Sequence, residues 1–178
     1  MSAVSQPDDA RPASFADYAR EAQRLGRGAF TERYGSAFLL LHAADLRGGS
    51  PGETSVPTAR GATAATTFHV FAVTLTGRQG RGWPTLGRAD ENDIVVQDTT
   101  ISRVHVGFIG AASGGYSVVD LGSSNGTFVD DQAVPLEGAG EPLALPSRST
   151  LRCGSVNFKF MEAPEFLEFV AAFLGPVR

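Results

Sequence analysis

The sequence predicts an all-β sandwich of two twisted, mainly antiparallel sheets with short helices at its N- and C-terminal sides. Three observations predict it. Between residues 68 and 161, short runs rich in Val, Ile, Phe and Thr ("FHVFAVTLT", "DIVV", "RVHVGFI", "YSVVDL", "TFVD", "SVNFKFM") are separated by turn residues, the signature of many short strands. Val156, Phe158 and Phe160 alternate with Ser155, Asn157 and Lys159, as in a strand with one face buried. Helical periodicity is confined to two stretches outside this block.

Residues 1–13, polar and acidic and without a signal-peptide core, read as a disordered start. Ser14 then opens a helix, with Asp17 three residues on in a capping-box-like arrangement. Phe15, Tyr18, Ala19, Ala22 and Leu25 share one helical face, and Gly26 is the stop. A short second helix is expected over Phe30 to Tyr34. "AFLLL" at 37–41 is a candidate buried strand closing an N-terminal arm of residues 14–47. Residues 48–67, Gly/Ser/Thr/Pro-rich and without a hydrophobic period, read as a flexible linker or loop. The sandwich follows over 68–161. A helix over 163–175 starts at Pro164, carries an apolar face of Phe166, Leu167, Phe169, Val170, Phe173 and Leu174, and ends at Gly175-Pro176. It is expected to cover part of the sandwich beside the N-terminal helix.

Composition narrows function. The chain of 178 residues is 42% hydrophobic, enough for a core. Its formal net charge of −4 and pI of about 5.3 argue against a general nucleic-acid binder. The single cysteine, Cys153, excludes an intrachain disulfide and a cysteine-rich zinc site. The three histidines, His42, His69 and His105, lack metal-ligand spacing. Asp90-Glu91-Asn92-Asp93 and Asp130-Asp131 read as solvated turns, so no metal is expected. The one lysine, Lys159, is far from any glycine-rich stretch, and "TGRQGRG" lacks the helix a dinucleotide site requires. No cofactor is expected. The longest apolar run falls far short of a membrane span, which makes a cytoplasmic protein the expectation.

"DLGSSNGTFVD" contains Gly122-Ser123-Ser124-Asn125-Gly126, which fits the G-x-S-x-G nucleophile elbow. An elbow needs a helix after the turn, whereas Thr127-Phe128-Val129 reads as strand, and every histidine lies upstream of Ser124. Asn125-Gly126 is instead a hairpin signal. A triad of Ser102, His105 and Asp120 would need a bend, because residues three apart in a strand face opposite sides. The sequence therefore argues against an enzyme.

What remains is a set of hydrogen-bond donors at strand ends: Arg88 and Arg103, the hydroxyls of Ser102 and Ser124, and the amide of Asn125. Alternate loops of a sandwich gather at one end. The set contains no carboxylate and suits a doubly charged tetrahedral oxyanion, with which charge-assisted bonds are strongest.

Gly87-Arg88, Ser102-x-x-His105 and Ser124-Asn125-Gly126, in that order, resemble the forkhead-associated (FHA) domain of bacterial proteins over about residues 68–161. The resemblance implies an eleven-stranded sandwich that binds phosphothreonine in partner proteins through loops at one end. It implies that Arg88 and Ser102 contact the phosphate, that Arg103 faces the peptide, and that Ser124 lies beside the phosphothreonine. Asn125 would hold the peptide backbone. Gly87, His105 and Gly126 fall on architectural positions, with His105 bracing the Ser102 loop. Thr99 and Thr100 form a candidate specificity loop, as do Asp130 to Gln132.

The function expected is a phosphothreonine-dependent adaptor in Ser/Thr kinase signalling, its partner a phosphothreonine-containing protein such as a kinase or its substrate. The alternative is a phospho-independent scaffold or oligomerisation module built on the Phe-rich helical faces. A further expectation is that a phosphorylated 48–67 segment, with Thr54, Thr58, Thr63, Thr66 and Thr67, occupies the protein's own site at high effective concentration.

Overall fold

The short apolar segments assemble into two six-stranded sheets packed face to face. The computed structural model describes residues 4–5, 14–43, 68–75, 82–110 and 114–178. In chain order the elements are β1 (Val4–Ser5), α1 (Phe15–Tyr34), β2 (Ala37–His42), β3 (Phe68–Ala72), β4 (Thr85–Gly87), β5 (Ile94–Val96) and β6 (Val106–Gly110). There follow β7 (Tyr116–Asp120), β8 (Thr127–Val129), β9 (Gln132–Ala133), β10 (Leu143–Ala144), β11 (Thr150–Cys153), β12 (Val156–Glu162) and α2 (Ala163–Leu174).

One sheet runs β1-β5-β4-β6-β7-β10 and the other β3-β2-β12-β11-β8-β9. All pairings are antiparallel except β4 with β5. The expected sandwich of mainly antiparallel sheets is therefore the observed one. Of the N-terminal stretch read as disordered, Val4 and Ser5 instead pair with Val96 and Val95. A sheet edge offers unpaired N–H and C=O groups that a passing extended segment satisfies. The rest of that stretch and the 48–67 linker lie outside the described residues.

Two cores follow from strand alternation. Leu39, Leu41, Leu86, Ile94, Val106, Phe108, Val118, Leu151, Phe158 and Phe160 fill the space between the sheets. Phe38, Leu40, Val70, Met161, Phe166, Leu167 and Val170 join Phe15, Tyr18 and Phe30 in a second core, between the outer face of the second sheet and the helices. β2 contributes to both, Leu39 and Leu41 to one and Phe38 and Leu40 to the other. That explains why "AFLLL" is continuously apolar, as a strand covered on both faces must be. The strand-like segments "AFLLL" and "FHVFA" are both strands and pair with each other, Leu40 opposite Val70.

The helices form for the reasons their sequences suggest. Ser14 caps α1, its Oγ accepting from the Asp17 N–H at 3.2 Å. The helix breaks at Gly26, whose φ of 76° is left-handed. Arg27 then donates its N–H to the Arg178 carbonyl at 2.8 Å, and Val177 is buried. Pro164 occupies the first turn of α2 and Gly175 ends it. Phe166 stacks on Phe38 at 4.3 Å between ring centroids and meets Phe15 and Tyr18 edge-on. Much of the apolar faces that suggested oligomerisation is thus buried within the chain, while Phe169 and Phe173 are partly buried and Leu174 is exposed. Among the described residues no helix is long and apolar enough to cross a membrane.

Candidate functional site

The loops after β4, β5 and β7 meet at one end of the sandwich, where a single hydrogen-bonded network joins them. The network starts from Gly87. A Cβ there would fall 2.3 Å from the Arg103 carbonyl oxygen and 2.6 Å from Asn92 Nδ2, so only glycine lets the two loops touch. With that contact made, Arg88 donates its N–H to the Ser102 carbonyl at 2.9 Å, and Ala89 donates to the Arg103 carbonyl at 3.1 Å. The exposed Arg88 side chain carries one further bond among the described residues, from Nε to the Ile101 carbonyl at 3.3 Å. The ends of its guanidinium remain available.

Ser102 is the hub. Its N–H donates to His105 Nδ1 at 3.0 Å, and its Oγ accepts from the Ser124 N–H at 2.9 Å. Because Nδ1 accepts, the ring proton sits on Nε2, which donates to the Gly126 carbonyl at 3.2 Å. His105 is fully buried. Burial pushes its imidazole below the ordinary 6.5, outweighing the Gly126 bond and the Asp120 charge, which both raise it. It is a neutral brace between the Ser102 loop and the Ser124 loop. The bend that a Ser102–His105 pair would need is present, but the imidazole meets the backbone N–H of Ser102, so no nucleophile–base pair forms.

Asn125 donates Nδ2 to the Thr100 carbonyl at 2.8 Å. Thr100 is fixed in turn: Asp98 Oδ1 accepts from its N–H and its hydroxyl at 2.8 and 2.6 Å, and its Oγ1 accepts from the Ser155 N–H at 3.1 Å. Gly154 seals this corner. Its N–H donates to the Gly126 carbonyl at 3.1 Å, and a Cβ on it would lie 2.4 Å from the Thr100 carbonyl oxygen. Thr99, Arg103, Ser124 and Asn125 are exposed around the network. Arg103 reaches Glu91 at 3.4 Å. Ten of the candidate residues therefore belong to one loop cluster, whereas Asp130 to Gln132, at the β8–β9 turn, sit beside Thr150 at the other end of β8.

Two readings are corrected. "SSNG" is not a hairpin: β7 belongs to the first sheet and β8 to the second, so the loop crosses between sheets. Gly122 and Gly126, with φ of 83° and 80°, permit the turn out of plane. Asp120 then fixes it, accepting from the N–H groups of Gly122 and Ser123 at 2.9 and 2.7 Å and from the hydroxyls of Ser123 and Thr127 at 2.6 Å each. Burial alone would raise the Asp120 carboxyl, but these bonds outweigh it and hold the group below its ordinary value. Likewise, the 90–93 stretch is not wholly a solvated turn. Asn92 is fully buried, and its Nδ2 donates to the carbonyls of Ala89 and Arg103 at 2.7 and 2.6 Å. Sequence reasoning missed both supports because an Asp before a Gly/Ser turn and an Asn in an acidic run each read as surface.

The site is a set of loop tips. A cavity of about 340 Å³ lies elsewhere, beside β12 and α2, lined by residues that include Lys159, Met161 and Phe169. Loop tips bearing separate donors suit an extended chain, which carries its own unpaired backbone groups. Among the described residues no cluster of His, Cys, Asp and Glu could hold a metal ion. Cys153 is wholly buried, and burial pushes its thiol up, so it is a protonated core residue.

Residues 85–154, from β4 through the end of β11, match the family described as FHA domain. An oxoglutarate dehydrogenase inhibitor of Corynebacterium diphtheriae is 36% identical over 80 residues, covering 45% of this chain and 51% of that protein. The glycogen accumulation regulator GarA of Mycolicibacterium smegmatis is 33% identical over 79 residues, covering 44% and 46%. The chain thus spans about half the length of these curated relatives. Among solved structures, the FHA domain of the Chlamydia trachomatis protein CT664 is 21% identical, with a TM-score of 0.46 and coverage of 71% of this chain and 97% of that one. The matched segment holds every loop of the network, and over residues 85–154 the chain resembles an FHA domain, with bacterial relatives.

Proposed function

We propose that this protein is a phosphothreonine-dependent adaptor that recognises a phosphorylated partner, a Ser/Thr kinase or its substrate, and acts in the cytoplasm without catalysing a reaction. The observation that carries the reading is the Ser102 hub. Its hydroxyl accepts from the Ser124 N–H, so its own proton is free to donate to a phosphate oxygen. Arg88, tied to the carbonyls of Ile101 and Ser102, brings a guanidinium to the same place. A phosphothreonine carries roughly −1.5 to −2 charge at neutral pH, and each charge-assisted bond to it contributes on the order of 1.5–3 kcal/mol. Asn125 uses one amide N–H on Thr100, which leaves its second N–H and its carbonyl for a peptide backbone. Arg103, drawn towards Glu91, lies at the rim. That the curated relatives are named as an inhibitor and a regulator also supports action by binding.

The test is fluorescence anisotropy with a threonine peptide and its phosphorylated twin. The phosphorylated form binds and the unmodified one does not. Arg88→Ala weakens binding on the order of tenfold to a hundredfold for each charged bond lost. Equal binding by Arg88→Ala would remove this reading.

A further inference from the structure

The cavity beside β12 and α2 follows from two spacings in the sequence. Phe158 and Phe160 of β12 point between the sheets, so the alternate residues Lys159 and Met161 stand on the outer face. Glu165, Glu168 and Phe169 recur at i, i+3 and i+4 on α2 and therefore share one side of the helix. With Arg148, these residues line a volume of about 340 Å³. Arg148 has a φ of 71°, uncommon for a residue with a Cβ, and its N–H donates to the Phe160 carbonyl at 2.8 Å. Its guanidinium donates to Glu168 at 2.8 Å, so an ion pair ties the loop before β11 to α2 at the cavity.

The other two charges of the lining do not neutralise each other. Lys159 is the only lysine of the chain. Among the described residues its ammonium has no partner, and neither has the Glu165 carboxylate. Both residues are half-buried, beside the buried Met161 and the half-buried ring of Phe169. Small-molecule sites have volumes of about 300–1,000 Å³ and combine an apolar lining with a few polar groups that fix orientation. A half-buried charge is less well solvated than an open one, so an opposite charge brought by a ligand interacts with it more strongly. A ligand carrying only an anion would satisfy Lys159 and be repelled by Glu165. One carrying only a cation would meet the reverse. One charge of each sign on an apolar body satisfies both.

We propose that this cavity is a binding site for a small zwitterion with an apolar body, the chemistry of a free hydrophobic α-amino acid. Its carboxylate lies on Lys159, its ammonium on Glu165, and its side chain against Met161 and Phe169. No lining residue belongs to the loop network, and the site does not depend on the phosphothreonine reading.

The experiment titrates the full chain with L-leucine, L-methionine and L-phenylalanine to about 10 mM, a range in which ligands of about a dozen non-hydrogen atoms bind even at low efficiency. Backbone amide resonances are followed by NMR. At least one amino acid shifts the amides of residues 159–161 and 165–169. The best-bound one is then compared with its N-acetyl derivative, which lacks the ammonium, and with its decarboxylated amine. Each analogue binds about threefold to tenfold more weakly, the range of one partly exposed charged bond. Lys159→Met, which keeps an apolar stem, binds the amino acid and the amine about equally but still disfavours the N-acetyl form. Glu165→Gln does the opposite. The same spectra report whether each variant is folded. Charges that were merely solvated would give no preference among the three probes and no dependence on either variant. The proposal is overturned if none of the three amino acids moves these resonances, if either analogue binds wild-type protein as tightly as the amino acid, or if both preferences persist in the variants.

Discussion

Replacing Asn92 tests whether a buried amide holds the site loops in register. Asn92 is wholly enclosed, and its Nδ2 donates to the Ala89 and Arg103 carbonyls at 2.7 and 2.6 Å, while Oδ1 has no partner among the described residues. Asn92→Ala removes two hydrogen bonds of about 1 kcal/mol each and leaves a small void, offset in part because an unsatisfied oxygen also goes. The expected loss is about 2 kcal/mol. Asn92→Asp keeps the shape but aims a carboxylate at two carbonyl oxygens. Leaving a buried charge unpaired costs about 3–5 kcal/mol. The sign with pH then follows. The new carboxyl titrates far above its unfolded value of about 3.9 in the folded state, so its penalty is full at neutral pH and fades as the pH falls towards about 4. Urea denaturation of the three proteins at pH 7 and pH 4.5, with m-values compared, measures all of this. Asn92→Asp should be the least stable at pH 7 and should close on Asn92→Ala in acid. If it equals wild type at pH 7, the amide does not bridge the loops as described.

Other predictions follow from the same geometry. The His105 imidazole titrates below its ordinary 6.5 in the folded protein, so the unfolded chain binds more protons below that pH and wild-type stability falls on acidification through this window. Urea midpoints from pH 8 to pH 5 should show that slope, and His105→Leu, itself less stable for want of the brace, should show a shallower one, the remainder coming from His69, which burial also holds below its ordinary value. Phe166→Ala opens the second core where the ring stacks on Phe38 and should cost about 3–5 kcal/mol by equilibrium unfolding. Gly87→Ala forces a methyl against the Arg103 carbonyl and should destabilise by about 1–3 kcal/mol, with phosphopeptide affinity falling further than stability in anisotropy titrations.

Much of the architecture was legible because its signals are local. Gly26 ends a helical face whose Phe15, Tyr18, Ala19 and Ala22 are buried as their spacing implies. Arg88, Ser102 and Asn125 stood out as polar groups at strand ends, and they meet, together with His105, in one network. The supports were not legible, because burial at a loop is a property of its neighbours. Nothing in "DEND" distinguishes the Asn92 side chain, which turns inward beneath Gly87, from its exposed neighbour Glu91. Asn125-Gly126 gives the same local signal in a hairpin and in a crossover between sheets. Only the alignment of β8 with β11 and β7 with β6 decides which one forms. The cavity beside α2 gave no signal either, since only the packing of α2 on β12 brings Lys159 and Glu165 to one place.

The double coverage of β2 bears on how the chain is made. Phe38 to Leu41 are synthesised well before their hydrogen-bonded neighbour on one side, β12, with Leu39 opposite Phe160, and the lid over their other face includes α2. Until residues near 160–174 leave the ribosome, this run of large apolar side chains has no completed partner. Contacts between distant segments carry a loop-closure cost before they return any stability. Synthesis therefore passes through a long interval in which this apolar strand can pair only with β3 and has its other edge open. Slowing translation before β12 should lower soluble yield far more than slowing it afterwards.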